Sequence, residues 1–311
     1  MLDLEFKQPP VVARGYAGAI RNAVRRRSAG SLPDVARAQA AKTAIDRRRA
    51  ANYNAVCGFG NDDIVAFTYP HVLAFGLHMA IMAHRDFPLS VLGLIHTHNR
   101  IRRYRHIRFD ELLSFSVQID NWRALDTGYE FDIDTWCYAY APDVGVVGEL
   151  VWTERSTMRA PERSGGYAQL SDKPLPELSW STYEKWLMSA DLGRRYARVS
   201  GDYNPIHLGA APARMFGFKY PIATGMWLQA RAVAVLEPYW DQAEAEASIT
   251  FKKPVPLPAE REFVVDDHVV SGMSFGLIDR DSRAVHIRGS FGSLTDHSSP
   301  EYTEEQDNAN S

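Results

Sequence analysis

The chain has 311 residues, 45% of them apolar and 23% charged, with a formal net charge of −3. This is the make-up of a soluble globular protein with room for one large or two modest domains, and the acidic balance argues against a dedicated nucleic-acid binder. The two cysteines, Cys57 and Cys137, form no disulfide framework and read as inert core residues in a reducing compartment.

In residues 1–50, Lys and Arg outnumber Asp and Glu by 11 to 4. Here the pattern predicts short helices over 13–27 and 33–51, split by the breaker SAGSLP, within a basic N-terminal helical arm covering 1–52. Such an arm either covers the main body as a solvated layer or attracts an anionic ligand. The opening MLDLEFKQPP lacks the apolar core of a signal peptide. The longest apolar runs, HVLAFGLHMAIMA from His71 and MWLQARAVAVL from Met226, fall short of the ~20 residues that span a bilayer. A cytoplasmic protein without a membrane span is expected.

A first unit, 53–162, contains the apolar helical run YPHVLAFGLHMAIM from Tyr69 and the alternating segments SFSVQID, YEFDIDTWCYAY and GVVGELVWTE. Their period of two predicts antiparallel strands with one buried face. His71, His78 and His84 lie in or near the helix and read as satisfied core or tunnel residues. His96 and His98, in IHTHNR, alternate along a strand and are expected to face the same way as ordinary sheet residues. A metal site would need further ligands, and none is predicted. The run RIRRYRHIR, from Arg100 to Arg108, is either a solvated strand face or a phosphate-binding patch.

Residues 163–179, rich in Gly, Pro and Ser, read as a linker. A second unit, 180–297, repeats the order of the first. It has YPIATGMWLQARAV from Tyr220, a basic stretch FKKPVPLPAEREF from Phe251, and the alternating segments REFVVDDHVV, SFGLIDR and AVHIRGSFG. The tail, 298–311, is acidic and polar and is expected to be disordered. Each unit is thus one apolar helix followed by three or four antiparallel strands. A helix apolar nearly all round must be surrounded, and a curved sheet can do that. The expectation is an α+β architecture of two such units packed as a pseudo-dimer.

Chemistry concentrates in SGDYNPIH, Ser200 to His207. Ser189 is the expected N-cap of the helix upstream, and Gly201 suits its left-handed stop. Pro205 fixes its own φ and keeps Asn204 out of the helical region. The bend can aim Asp202 and His207 at one point, and a further helix is expected over 210–215. Gly225 then opens the second apolar helix, where it presents a backbone N–H with no intrahelical partner. A carboxylate and an imidazole can share acid–base work on a water, and a helix N-terminal amide can hold a carbonyl oxygen as charge develops on it. Asp and Asn in turns also commonly cap backbone groups and nothing more, so the spacing leaves both readings open.

Ser200–His207, taken with FKYPIATGM from Phe218 to Met226, resembles the signature of R-specific enoyl-CoA hydratases of the MaoC-like family. The resemblance covers the second unit from about Trp180 to Gly292. It implies a double hot-dog fold, in which the first unit lacks the motif and makes room for the acyl tail. It also implies that Asp202 and His207 form the catalytic dyad, that Asn204 orients it, and that the Gly225 N–H binds the thioester oxygen. Tyr203, Pro221, Thr224 and Met226 are expected at the substrate. Arg103, Arg105, Lys252 and Lys253 are candidates for the phosphates of coenzyme A or of an acyl carrier protein. The family often has His where this chain has Thr224, a departure that leaves the backbone donor intact. No metal or redox cofactor is implied, and a homodimer is possible. Two rival readings are a hot-dog acyl thioesterase and a non-catalytic acyl-thioester binding protein.

Overall fold

The computed structural model describes residues 2–12, 15, 16, 18, 35–60, 63–91, 93–126, 128–140, 148–161, 181–240, 242–266 and 272–294. The linker at 163–179, the tail from 298 and most of the helix expected over 13–27 fall outside them.

The first unit runs β1 (Leu2–Phe6), β2 (Ala36–Ala44), α1 (Arg47–Cys57), α2 (Tyr69–Met82), β3 (Ile95–Arg103), β4 (Leu112–Leu125), β5 (Gly128–Ala139) and β6 (Leu150–Pro161). The second runs β7 (Ser181–Met188), α3 (Leu192–Ser200), α4 (Pro205–Leu208), α5 (Ala210–Arg214), α6 (Gly225–Leu236), β8 (Ala245–Phe251), β9 (Ala259–Asp266), β10 (Gly272–Ile278) and β11 (Val285–Gly292). Among the described residues eleven strands join one sheet in the order β1-β2-β4-β5-β6-β3-β8-β11-β10-β9-β7, and of these pairs only the outermost, β1 with β2, is parallel. Outward from the central β3–β8 pair, the two halves have the same order of five strands, with β2 answering β7 and β6 answering β11. Four strands follow the long apolar helix in each half, as the pattern predicts; the additional strands, β1 and β2 in the first half and β7 in the second, precede it.

The helix expected over 33–51 is not formed as such: residues 36–44 are β2, and the helix begins only at Arg47. Ala36, Ala38 and Ala40 are at most 1% exposed and alternate with more open residues, so the small side chains sit on the inner face of a strand paired with β4. Asp46 then caps α1 by accepting from the Arg49 N–H, and Gly58 closes it at φ 90°.

Helices α2 and α6 are the two long apolar runs, and both are buried along most of their length. Each lies in the concave face of its own half-sheet, because no face of an all-apolar helix can be left to water. Two ion pairs, the first of them buried, tie the halves beside the β3–β8 seam. Arg102 Nε meets Glu246 Oε2 at 2.7 Å, directly across the ladder, and Arg103 Nη1 meets Glu237 Oε1 at 2.5 Å. Among the described residues no helix is long and apolar enough to cross a membrane.

Candidate active site

The bend after α3 forms for the local reasons the sequence suggests. Gly201 takes φ 85° at the helix end, and Asn204 Oδ1 faces the N–H of Ile206 at the start of α4, with Pro205 in the first turn. The α3 N-cap is Asp191 rather than Ser189, whose hydroxyl instead donates to the Asp191 carboxylate at 2.5 Å.

Asp202 Oδ1 accepts from the Asn204 backbone N–H at 3.1 Å and from the Tyr16 hydroxyl at 2.5 Å. One carboxylate oxygen is thereby held by two donors. Tyr16 lies 186 positions upstream, in the basic segment, and nothing in its local sequence singles it out. Burial, and then the charge of Asp202, push the Tyr16 hydroxyl far above the ordinary phenol range, so it stays a proton donor to that oxygen.

His207 is buried, with Nδ1 2.8 Å from the carbonyl oxygen of Ile222. A carbonyl can only accept, so Nδ1 carries a proton, and Nε2 is the ring nitrogen left to exchange one. The Ile222 N–H donates back to the Ile206 carbonyl, and the Ala223 N–H to that of Val255. This pins the short stretch leading to Gly225, the first residue of α6, whose N–H has no intrahelical acceptor. A Cβ at Gly225 would lie 3.0 Å from the Phe251 ring, so the ring covers the helix start closely. Beside it, Thr224 Oγ1 is buried with no hydrogen-bond partner.

Asp202, Asn204, His207, Thr224, Gly225, Met226, Lys252 and Lys253 line one cavity of about 180 Å³, which Tyr16 also borders. Tyr203 and Pro221 are not in its wall, and the Tyr203 side chain is 44% exposed. Arg103 and Arg105 also lie elsewhere. Arg103 is 2% exposed and committed to Glu237 and the Ala243 carbonyl, while Arg105 pairs with Glu111 and Glu149. A register shift in the β3–β6 ladder between His96 and His98 turns the two imidazoles apart. His96 borders the cavity, and His98 borders a separate groove with Asp132 and Lys252. Burial raises the Cys57 and Cys137 thiols above their ordinary range. Among the described residues no group of three or more His, Cys, Asp or Glu is placed to hold a metal ion.

Gly193, in the first turn of α3, is a further site residue that the sequence does not announce. A Cβ there would stand 2.0 Å from the His207 carbonyl oxygen and 2.8 Å from its carbon. Gly-to-Ala in a helix ordinarily gains about 1 kcal/mol. Gly193→Ala is expected instead to lose about 1–3 kcal/mol through overpacking, read as a lowered Tm. Turnover should fall by up to about 10²-fold as His207 is displaced. A variant as stable and active as the parent would show that the contact gives way freely.

Two half-sheets, each wrapped on a buried helix and joined edge to edge, with a shared cavity walled by both, define a double hot-dog protein. The family model of the MaoC like domain matches residues 178–270. The chain is 32% identical over 244 residues to 3-hydroxyacyl-thioester dehydratase X of Mycobacterium tuberculosis, covering 75% of this chain and 84% of that one. The crystal structure of HtdX from the same organism superposes with a TM-score of 0.70 at 28% identity, over 83% of this chain and 100% of the other. A MaoC-like dehydratase from Phytophthora capsici shares the fold at 16% identity, with a TM-score of 0.64 over 85% of this chain and 97% of that one. The chain belongs to the MaoC-like dehydratase family and is a hydro-lyase.

Proposed function

We propose that the chain catalyses the reversible hydration of trans-2-enoyl thioesters to (3R)-hydroxyacyl thioesters, with coenzyme A or an acyl carrier protein as the thiol. The observation that carries this reading is the meeting of Asp202, His207 and the Gly225 amide on one cavity wall. The second carboxylate oxygen of Asp202 and Nε2 of His207 both accept, so one water can donate to each and turn a lone pair toward C3. The Gly225 N–H holds the thioester oxygen as negative charge gathers on it, a contribution on the order of 10²–10³-fold for one such donor. The proton taken from water is returned to C2 from the same side, which gives syn addition. The water oxygen bonds to C3, the π pair takes the proton at C2, and no net electron transfer occurs, so the scheme calls on no redox group. Lys252 and Lys253, at the cavity, are positioned for the phosphates of the carrier. The reading puts the enzyme in the cytoplasm with its soluble substrates.

Tyr16 acts in this scheme as a positioning residue. Its hydroxyl occupies one oxygen of Asp202 and so leaves the other for water. Tyr16→Phe is expected to lower kcat about 10-fold with KM and Tm little changed, the size of one hydrogen bond to a charged group. An unchanged kcat would remove the contact from the mechanism.

The reading is tested by following the absorbance of the conjugated double bond with crotonyl, octenoyl and dodecenoyl thioesters, while free thiol is measured in parallel. Loss of absorbance without thiol release supports hydration. Thiol release at the same rate would make the enzyme a thioesterase, and binding without either signal would make it a carrier-binding protein.

A further inference from the structure

The first half carries no copy of the Asp202 motif, yet its wall of the cavity is not plain hydrocarbon. Phe75, Met79, Met82, Leu94 and Ile95 suit an alkyl chain, but His71, His78, His96 and Ser156 stand among them.

Behind this wall lies Glu154, 2% exposed, with His71 Nδ1 at 2.9 Å from both carboxylate oxygens and Asn99 Nδ2 donating at 2.6 Å. Burial opposes charge on Glu154, but the charge and hydrogen bond of His71, with His78 and the Asn99 amide, hold its carboxyl down to about 2. It is therefore an anion that accepts from Nδ1, and Nε2 is the His71 nitrogen left for a ligand. His78 is committed, with Nε2 2.8 Å from Thr135 Oγ1. His96 is not: its Nε2 is buried with no hydrogen-bond partner. Its ring centroid is 5.0 Å from that of Phe251, the same ring that packs against Gly225. One aromatic ring thus separates His96 from the amide that would hold the thioester oxygen.

A hydroxyl on the chain can supply a partner to a buried polar atom that an unbroken alkyl tail leaves unpaired. The register shift beside His96 turns it into the cavity rather than out into the neighbouring groove. Burial pushes His78 and His96 down to about 3 and about 4, so both rings are neutral near pH 7. Neutral imidazoles suit a neutral oxygen, and the anionic Glu154 disfavours a second carboxylate in the same place.

Resting on the thioester reading above, we propose that His96 and His71 form a polar subsite for a hydroxyl carried on the acyl chain beyond the double bond, whose O–H can donate to the His71 Nε2 lone pair. The substrate class is then a hydroxylated acyl thioester, with Phe75, Met79 and Met82 taking the alkyl stretches on either side.

The test compares trans-2-decenoyl thioester with analogues carrying one hydroxyl or one oxo group at successive positions from C5 to C9. For the parent, kcat/KM is expected to favour a hydroxylated chain about 10-fold or more at one position, the scale on which polar sites reject analogues that leave them unpaired. An oxo group has no hydrogen to donate to His71, so the preference is expected in the hydroxyl arm, and a preference confined to the oxo arm would overturn the subsite. In His96→Phe the ratio should fall to about one, whatever the absolute rates. A parent that prefers the plain chain at every position, or a preference that survives His96→Phe, would overturn the subsite. Calorimetry of the parent with the saturated 3-hydroxyacyl thioesters gives a second measure that needs neither the variant nor turnover. The same preference in Kd supports the proposal, and equal affinities overturn it. If neither series is turned over, the hydration reading fails, and the calorimetric ratio still decides the subsite.

Discussion

Asp202→Asn is expected to lower kcat by about 10²–10⁴-fold, the range for losing a general acid–base group, while substrate affinity and Tm stay close to those of the parent. The reason lies in how the carboxylate is held. Oδ1 takes the Tyr16 hydroxyl and the Asn204 N–H, and an amide oxygen in the same place can accept both. The bend therefore survives. The other terminus, facing the water, becomes an NH₂ that donates where an acceptor is needed. Single-turnover rates from the enoyl absorbance, with Kd measured separately, separate the two effects. A loss of less than about 10-fold would take Asp202 out of the proton transfer.

His207→Asn and His207→Ala together give the second large effect. Both remove Nε2, and both are expected to lose about 10²–10⁴-fold in kcat. They differ in what happens to the Ile222 carbonyl. The Asn amide can reach the position of Nδ1 and keep that bond, whereas Ala leaves the buried carbonyl unpaired at a cost of about 1–3 kcal/mol. The Ala variant should therefore also melt earlier, and its loosened 222–225 stretch should weaken binding of the thioester oxygen. Because the proposed scheme has both residues work on one water, the double variant Asp202→Asn/His207→Asn should be little worse than either single one. Full additivity of the two losses would mean that the residues act on separate steps.

Much of this arrangement is legible without a structure, because it is local. The left-handed Gly201, Pro205 in the first turn of α4 and Gly225 at the start of α6 follow from backbone preferences of single residues. The two all-apolar helices declare by composition that they are surrounded. Residues 36–44 show where two local signals compete. ARAQAAKTA is rich in good helix formers, which favours the helical reading, but its alanines also alternate with a period of two. Pairing with β4 decides in favour of the strand, since burying Ala36, Ala38 and Ala40 on one face outweighs a weak intrinsic preference.

The basic run shows the opposite limit. A row of arginines has the same charge whether it faces solvent, a phosphate or an acid from another strand. Only the β3–β8 seam assigns Arg102 and Arg103 to Glu246 and Glu237. The His96–His98 pair depends likewise on a ladder irregularity that spacing cannot reveal, since one extra residue in a strand reverses every side chain beyond it.

By itself the sequence determined the two apolar helices that must be surrounded, the bent segment that carries Asp202 and His207, and the amide that opens α6, since each depends on residues a few positions apart, while the hot-dog pair was read from a family resemblance. The tertiary structure decided that Tyr16 reaches Asp202, that Gly193 lies against the His207 backbone, and that an imidazole wall from the first half faces the second half's bend. These are contacts between distant parts of the chain. They are fixed by how two wrapped sheets meet along one seam, and no local preference encodes that.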